Sequence, residues 1–230
     1  MRLRDTVRQM GWGTALVYAL DRLSRRLTLG RAGIHCYWIC AQPVPTAALL
    51  PANRGRNVEV RDVESGSPDI ERLPRATSVL QARFAQHGRC LTAHVGPQFA
   101  GFLWFNLGGY REDEVRCDYR WSPPGACAWD YDVFVAPQFR GSLVFARLWD
   151  EANRRFRELG VHWSLSRISA FKPDSLAAHS RLGIRRLGRV WFIEIGPIQI
   201  ASSRLGRRLH VSATTAGRYR LALRAPDSND

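Results

Sequence analysis

Lysine is nearly missing from this 230-residue chain: of its 34 basic residues Lys172 is the single lysine, and the others are arginine. With 20 acidic residues the formal net charge is +14, which suits an acidic partner. So one-sided an arginine bias follows GC-rich codon usage as much as selection for phosphate contacts. Glycine–lysine loops and an aromatic sheet motif of the RNA-binding kind are missing too, so nucleic acid is not the expected partner. No CxxC pair occurs among Cys36, Cys40, Cys90, Cys117 and Cys127. Their odd number and scattered spacing indicate neither a disulfide framework nor a zinc site. They read as small buried hydrophobes in a reducing compartment. His35, His87, His94, His162 and His210 show no ligand spacing, so no metal is expected. A long apolar run is also absent: the stretch 11–20 ends at Asp21 and Arg22, short of the roughly 18–20 residues of a membrane span. No small-residue cleavage site follows it, which argues against a signal peptide. The expected location is cytoplasmic, with a peripheral association at the inner membrane as the alternative.

What is present is ample material for a core, 45% apolar residues with 8 Trp, 10 Phe and 6 Tyr, in a length suited to one domain with extensions. Leu3, Val7, Met10, Leu16, Leu20, Leu23 and Leu27 recur at helical spacing, with Arg2, Arg4, Arg8, Arg22, Arg25 and Arg26 between them. This is an amphipathic basic helix, broken near Gly11–Gly13, that either packs on the main domain or lies on an anionic membrane. The organisation expected is a helix and extended arm over 1–55, a main domain over 56–200 and a basic tail over 201–230 that frays.

In the main domain, NVEVRDV alternates as a half-buried strand, and RATSVLQARFAQH is a helix stopped by Gly88. Residues 89–95 and 99–107 form a hairpin. An irregular acidic stretch follows over 108–125. The strand ACAWDYDVFVA leads through Pro137 into a long helix over 142–159, whose apolar stripe runs through Leu143, Phe145, Ala146, Leu148, Trp149, Ala152, Phe156 and Leu159. Then come a strand over 161–170, a short helix from Pro173 to Gly183, and strands over 184–196 and 197–203. Strand–helix–strand alternation implies a mixed α/β (α+β) fold with a mixed central sheet flanked by helices.

Two segments carry chemistry. In VFVAPQFRGSLVFARLWDEANRRF a strand ends, a turn carries Arg140 and Gly141, and a helix starts; a helix start with a fixed cation beside it suits an anion. Downstream, SRISAFKPDSLAAHSRLG is a strand and a short helix ending in Arg-Leu-Gly. Together they resemble the GNAT superfamily of acyl-CoA-dependent N-acyltransferases. Val135, Pro137, Phe139, Arg140 and Gly141 match the family's V-x-P-x-[YF]-R-G-x-G-x-G/A. Ser175, His179, Arg181, Leu182 and Gly183 match its second motif, N-x-x-S-x-x-x-[YH]-x-[KR]-L-G-F. The resemblance covers roughly residues 57–196.

The resemblance implies a sheet parted between the strands 126–136 and 161–170, with pantetheine of acetyl-CoA or a longer acyl-CoA in the gap. The cofactor pyrophosphate then sits on Gln138, Arg140, Gly141, Ser142, Leu143 and Val144, and the thioester lies along Val133, Phe134 and Val135, where a backbone N–H polarises its carbonyl. Lys172 and Ser175 are further cofactor contacts. His179 stands where the family often has a tyrosine that protonates the leaving thiolate, and histidine can donate near neutral pH. Asp130 and Asp132, two apart on one strand and so expected on one face, are candidates for taking the amine proton, the alternative being strand-end charges or partners of arginine. Glu112, Asp113 and Glu114 are candidates for holding a cationic acceptor. The chain departs from the family pattern at Leu143 and Phe145, where small residues let a pyrophosphate approach, and at Lys172, where the family has asparagine. Phe145 crowds the cradle unless it turns into the core.

The function expected is direct transfer of an acyl group from acyl-CoA to a primary amine of a small molecule or peptide. The alternatives are a donor on an acidic acyl carrier protein, and a degenerate fold that binds a partner or an anionic membrane without catalysis.

Overall fold

A computed structural model describes Val7, Met10 and residues 11–226. Leu3, Arg2, Arg4 and Arg8 of the expected amphipathic helix lie outside the described residues. In chain order the elements are helix α1 (Trp12–Leu27), strands β1 (Ala32–Pro43) and β2 (Val58–Val63), helix α2 (Thr77–Ala85), and strands β3 (Arg89–Val95), β4 (Gln98–Asn106), β5 (Tyr110–Arg111), β6 (Cys117–Ser122) and β7 (Cys127–Val135). Helix α3 (Val144–Glu158), strand β8 (Trp163–Ser169), helix α4 (Pro173–Ser180) and strands β9 (Arg185–Ile195), β10 (Ile198–Ser203), β11 (His210–Ser212) and β12 (Tyr219–Arg224) complete it. The fold is mixed α/β, with antiparallel and parallel strand pairs. Two compact units form: residues 1–42, 111–122 and 165–230 make the first, and residues 43–110 and 123–164 the second.

The second unit is an antiparallel meander in the order β2–β3–β4–β7. Its strands are rich in aromatic and β-branched residues and need cover on both faces. On one face α2 seals a cluster of Val63, Leu73, Leu80, Cys90, Phe102 and Trp104. Helix α2 closes through His87, at φ 59°, and Gly88, whose N–H donates to the Arg83 carbonyl at 2.9 Å; a side chain on Gly88 would lie 2.7 Å from that oxygen. On the other face α3 buries Val144, Leu148, Trp149, Ala152 and Phe156, with Phe105 edge-on to Phe156 at 4.9 Å between ring centroids. This stripe is narrower than the sequence suggests, since Leu159 is exposed. Asp150 is buried instead: its carboxylate accepts the Leu49 N–H at 2.8 Å and ties down the proline-rich segment after β1.

In the first unit β11–β10–β9–β1 pair antiparallel in that order. Phe192 packs edge to face with both Tyr37 and Tyr219 on one side. On the other, Cys40, Ile168 and Leu176 gather with Trp38 and Ile184. Two expectations change here. The stretch after Gly108 is not all irregular, and the segment 219–224 is a paired strand rather than a loose tail, because β6 and β12 pair in parallel, Cys117 opposite Tyr219 through Ser122 opposite Arg224. Each strand is short and finds its partner about a hundred residues away, so neither carries a hairpin signal.

The first helix also departs from expectation. Gly11, at φ 78°, breaks the helical run where expected. However, α1 buries Ala15 and Asp21, while Trp12, Leu16, Leu20, Leu23 and Leu27 are exposed. Asp21 is the clamp: one carboxylate oxygen accepts the Ile34 N–H at 2.7 Å and the Arg25 Nε–H at 2.8 Å.

All five cysteines are free and buried. Burial pushes the Cys36 and Cys127 thiols up to about 11, so almost no thiolate exists at neutral pH. The native protein should therefore react negligibly with a disulfide reagent at pH 8, and all five thiols should titrate once it is denatured. Prompt reaction of the native protein would contradict this packing.

Candidate functional site

Strand β7 does not run evenly along β4. Trp104 pairs with Asp132 and Phe105 with Asp130, so Tyr131 is an extra residue, a bulge. Directly opposed residues share a face and neighbours on a strand alternate. Asp132 therefore points with Trp104 toward α2, and Asp130 with Phe105 toward α3. The expectation that both aspartates share one face fails, because the bulge cancels the two-residue spacing.

Their partners differ accordingly. The Asp132 carboxylate is held by Arg75 at 2.6 and 2.7 Å and by Arg83 at 2.7 Å. The Arg75 guanidinium lies 5.2 Å from the centre of the Phe102 ring, and that of Arg83 lies 5.1 Å from the centre of Tyr131. Charge within so aromatic a cluster persists only when paired and hydrogen-bonded. Asp132 is therefore a structural hub and is not free to take an amine proton. Asp130 is buried and accepts the Ser164 hydroxyl at 2.6 Å. Arg75 also borders a groove of about 500 Å³ with Ile70, Glu71, Leu73, Thr77 and Leu80. Sequence reasoning missed both arginines; the available signal was Arg83 interrupting the apolar side of α2 beside Leu80 and Phe84.

The turn after β7 keeps the features that singled it out. The Ala136 N–H bonds to the Ala100 carbonyl on the β4 side at 2.9 Å. Successive N–H groups alternate between strand edges, so those of Val133 and Val135 face the edge away from β4. The side chains of Val133 and Val135 are half-buried, and Phe134 stacks on Phe102 at 5.4 Å. A single 3-10 turn, Pro137–Phe139, leads to Arg140. Gln138 and Arg140 are exposed, and Arg140 makes no ion pair among the described residues. Gly141 has φ 80°, a left-handed conformation that favours glycine, and open space where a side chain would stand. Ser142 donates to the Phe139 carbonyl at 2.6 Å and accepts the Val144 N–H at 3.3 Å. Leu143 is the cap residue of α3 and supplies no side-chain cap. The Phe145 ring lies edge-on to Trp149, 6.5 Å away and one turn further along the helix.

The remaining candidates belong to the first unit. Lys172 is exposed and caps α4 without a side-chain hydrogen bond. Ser175 is half-buried, and its carbonyl accepts a 2.9 Å hydrogen bond from His179 Nδ1–H. His179 is buried, and burial lowers its pKa below the ordinary value of 6.5. A neutral imidazole with its proton on Nδ1, committed to a carbonyl, has none to give a thiolate, so the expected acid role does not fit this geometry. Glu112 is not an acceptor site either. It is buried and paired with Arg167, whose guanidinium lies 4.3 Å from the centre of the Tyr37 ring. Arg167 also reaches Glu114 at 2.8 Å. Burial opposes the Arg167 charge, but Glu112 outweighs it and holds the guanidinium well above its ordinary pKa. Asp113 remains exposed. Among the described residues no group of three or more His, Cys, Asp or Glu side chains converges as metal ligands would.

No protein-family model and no curated protein matches the sequence. Solved structures of similar fold exist. A conserved protein of unknown function from Staphylococcus epidermidis aligns over 76% of this chain and 68% of its own at TM-score 0.52 and 13% identity. A Drosophila protein aligns over 76% of this chain and 57% of its own at TM-score 0.51 and 13% identity. GNAT acetyltransferases are among the similar structures. One is a tandem GNAT protein from the clavulanic acid biosynthesis pathway, with TM-score 0.47, 15% identity, and coverage of 71% of this chain and 55% of its own. The chain thus spans little more than half the length of the Drosophila and tandem proteins.

Two outcomes are expected. Asp132→Asn should lower unfolding free energy by about 3 kcal/mol in urea, since it leaves Arg83 buried with its countercharge removed; a loss under about 0.5 kcal/mol would mean the cluster is solvated. For His179, the unfolded chain binds a proton as pH falls below 6.5 while the folded chain resists it, so its contribution to stability is lost below that pH and regained as pH rises through it. Replacing His179 by glutamine should flatten the fall in urea midpoint between about pH 7 and 5; an unchanged slope would place that titration elsewhere.

Proposed function

We propose that the chain is a GNAT-type N-acyltransferase that moves an acyl group from an acyl-CoA thioester to a primary amine. The observation that carries this reading is the turn from β7 into α3: an unpaired Arg140, an open left-handed Gly141 and a helix start whose cap residue, Leu143, has no polar side chain. These supply a fixed cation, room and the positive end of a helix dipole, which is what a pyrophosphate needs. The packing of Phe145 against Trp149 is compatible with that room. The family's usual thioester position lies along the β7 edge to which the Val133 and Val135 N–H groups point. In the reaction the amine nitrogen bonds to the thioester carbon, the carbon–sulfur bond breaks and the thiolate leaves. A backbone N–H on that edge stabilises the charge gathering on the carbonyl oxygen. With Asp130 and Asp132 both engaged, the amine sheds its proton through water. Glu71, exposed beside the groove next to Arg75, offers a carboxylate to a cationic acceptor.

A specific observation favours a second reading, a fold of this kind that binds without catalysing: Asp132 is held by two arginines and the His179 Nδ1–H is committed to the Ser175 carbonyl. One experiment separates the two. The thermal midpoint is followed with acetyl-CoA, a long-chain acyl-CoA and free CoA, and thiol release is measured with a panel of amines. A ligand that binds only the folded state raises the midpoint. We expect a clear rise with at least one CoA species, a roughly tenfold weakening of binding in Arg140→Ala, and thiol release with some amine. Binding without release across the panel supports the second reading. No rise with any CoA species defeats the acyl-CoA assignment and leaves an acidic carrier protein as the donor to test.

A further inference from the structure

We propose that α1 docks the protein on an anionic lipid surface, lying in the membrane plane with its apolar stripe inserted. A surface helix ordinarily turns its apolar face to the core and its polar face to water. Here the leucine row faces water instead. The helix is fastened through Ala15, Tyr18, Asp21 and Arg25, with the Tyr18 ring 5.4 Å from that of Phe171, Asp21 gripping the Ile34 N–H and Arg25 meeting His35 Nε2 at 3.1 Å. Trp12, Leu16, Leu20, Leu23 and Leu27, spaced by three or four residues and so in one row, are 80, 63, 48, 53 and 74% exposed. Past the helix end, Leu29 is 93% exposed and sits at φ 51°. That conformation closes the helix end, with the Gly30 N–H donating to the Arg25 carbonyl at 2.7 Å, and it leaves the leucine side chain in water beside the row.

The charge beside this row selects the occupant. Arg22, Arg26 and Arg31 are exposed and make no ion pair among the described residues. A row of leucines led by tryptophan and edged by arginines matches the boundary between acyl chains and anionic headgroups, where the guanidinium groups reach phosphate. A protein partner would need an acidic rim around an apolar groove, and a second copy of this chain would bring the same arginines against themselves. Among the described residues no helix is long and apolar enough to cross a membrane, so the contact is with one leaflet.

The test is co-sedimentation of the full chain with vesicles of phosphatidylcholine alone or with about 30% phosphatidylglycerol. We expect binding to the anionic vesicles that weakens with salt, and at least a tenfold loss in the double variant Leu16→Asp, Leu23→Asp. Both leucines are exposed, so its thermal midpoint should match the parent's. Arg22→Gln with Arg26→Gln should reduce the preference for phosphatidylglycerol several-fold while keeping the residual apolar binding. Absence of binding by the parent chain would overturn the proposal. So would unchanged binding by the leucine variant, or a concentration-dependent dimer that this variant dissolves while no vesicle binding is seen.

Discussion

The Tyr131 bulge gives β7 two faces with different contents, and the second unit is arranged around that difference. Without the extra residue, Asp130 and Asp132 would crowd one face and repel. With it, Asp132 enters the aromatic cluster under α2 and Asp130 turns toward α3. The carboxylate entering the cluster can be tolerated only because Arg75 and Arg83 arrive from the α2 side. Those arginines are in turn held flat by Phe102, Trp104, Phe134 and Tyr131. Aromatic packing and ion pairing thus depend on one another here, and the placement of α2 follows from both.

The same solution recurs in the first unit. Arg167 lies on the Tyr37 ring and pairs with buried Glu112, while Arg218 joins Asp118 at 2.6 Å and two backbone carbonyls. Arginine suits this use because its planar group stacks on rings and presents several donors at once. The large positive balance of the chain is therefore only partly a surface property. Arg140 at the α3 turn and Arg22, Arg26 and Arg31 on and beside α1 are among the exposed arginines that make no ion pair within the described residues.

Much of the fold was legible from local pattern. The hairpin of β3 and β4, the α3 helix and the break at Gly11 all come from periodicity and glycine placement within a dozen residues. The turn at Arg140 and Gly141 was legible for the same reason, since a left-handed glycine before a helix is a local requirement. What local pattern did not reveal was pairing at a distance. Nothing near Cys117 announces Tyr219, and nothing near Asp132 announces Arg75.

The sequence by itself determined most of the elements, the mixed α/β class, the burial of the cysteines and the tight turn at Arg140 and Gly141, because each follows from spacing along a short segment. Tertiary structure alone decided which charges are free. It committed Asp132, Glu112 and the His179 proton to internal partners, and it turned the leucine row of α1 outward. Amphipathic spacing says only that a helix has two faces; which one meets the protein depends on what waits there. In this chain it was the Ile34 N–H, reached by Asp21.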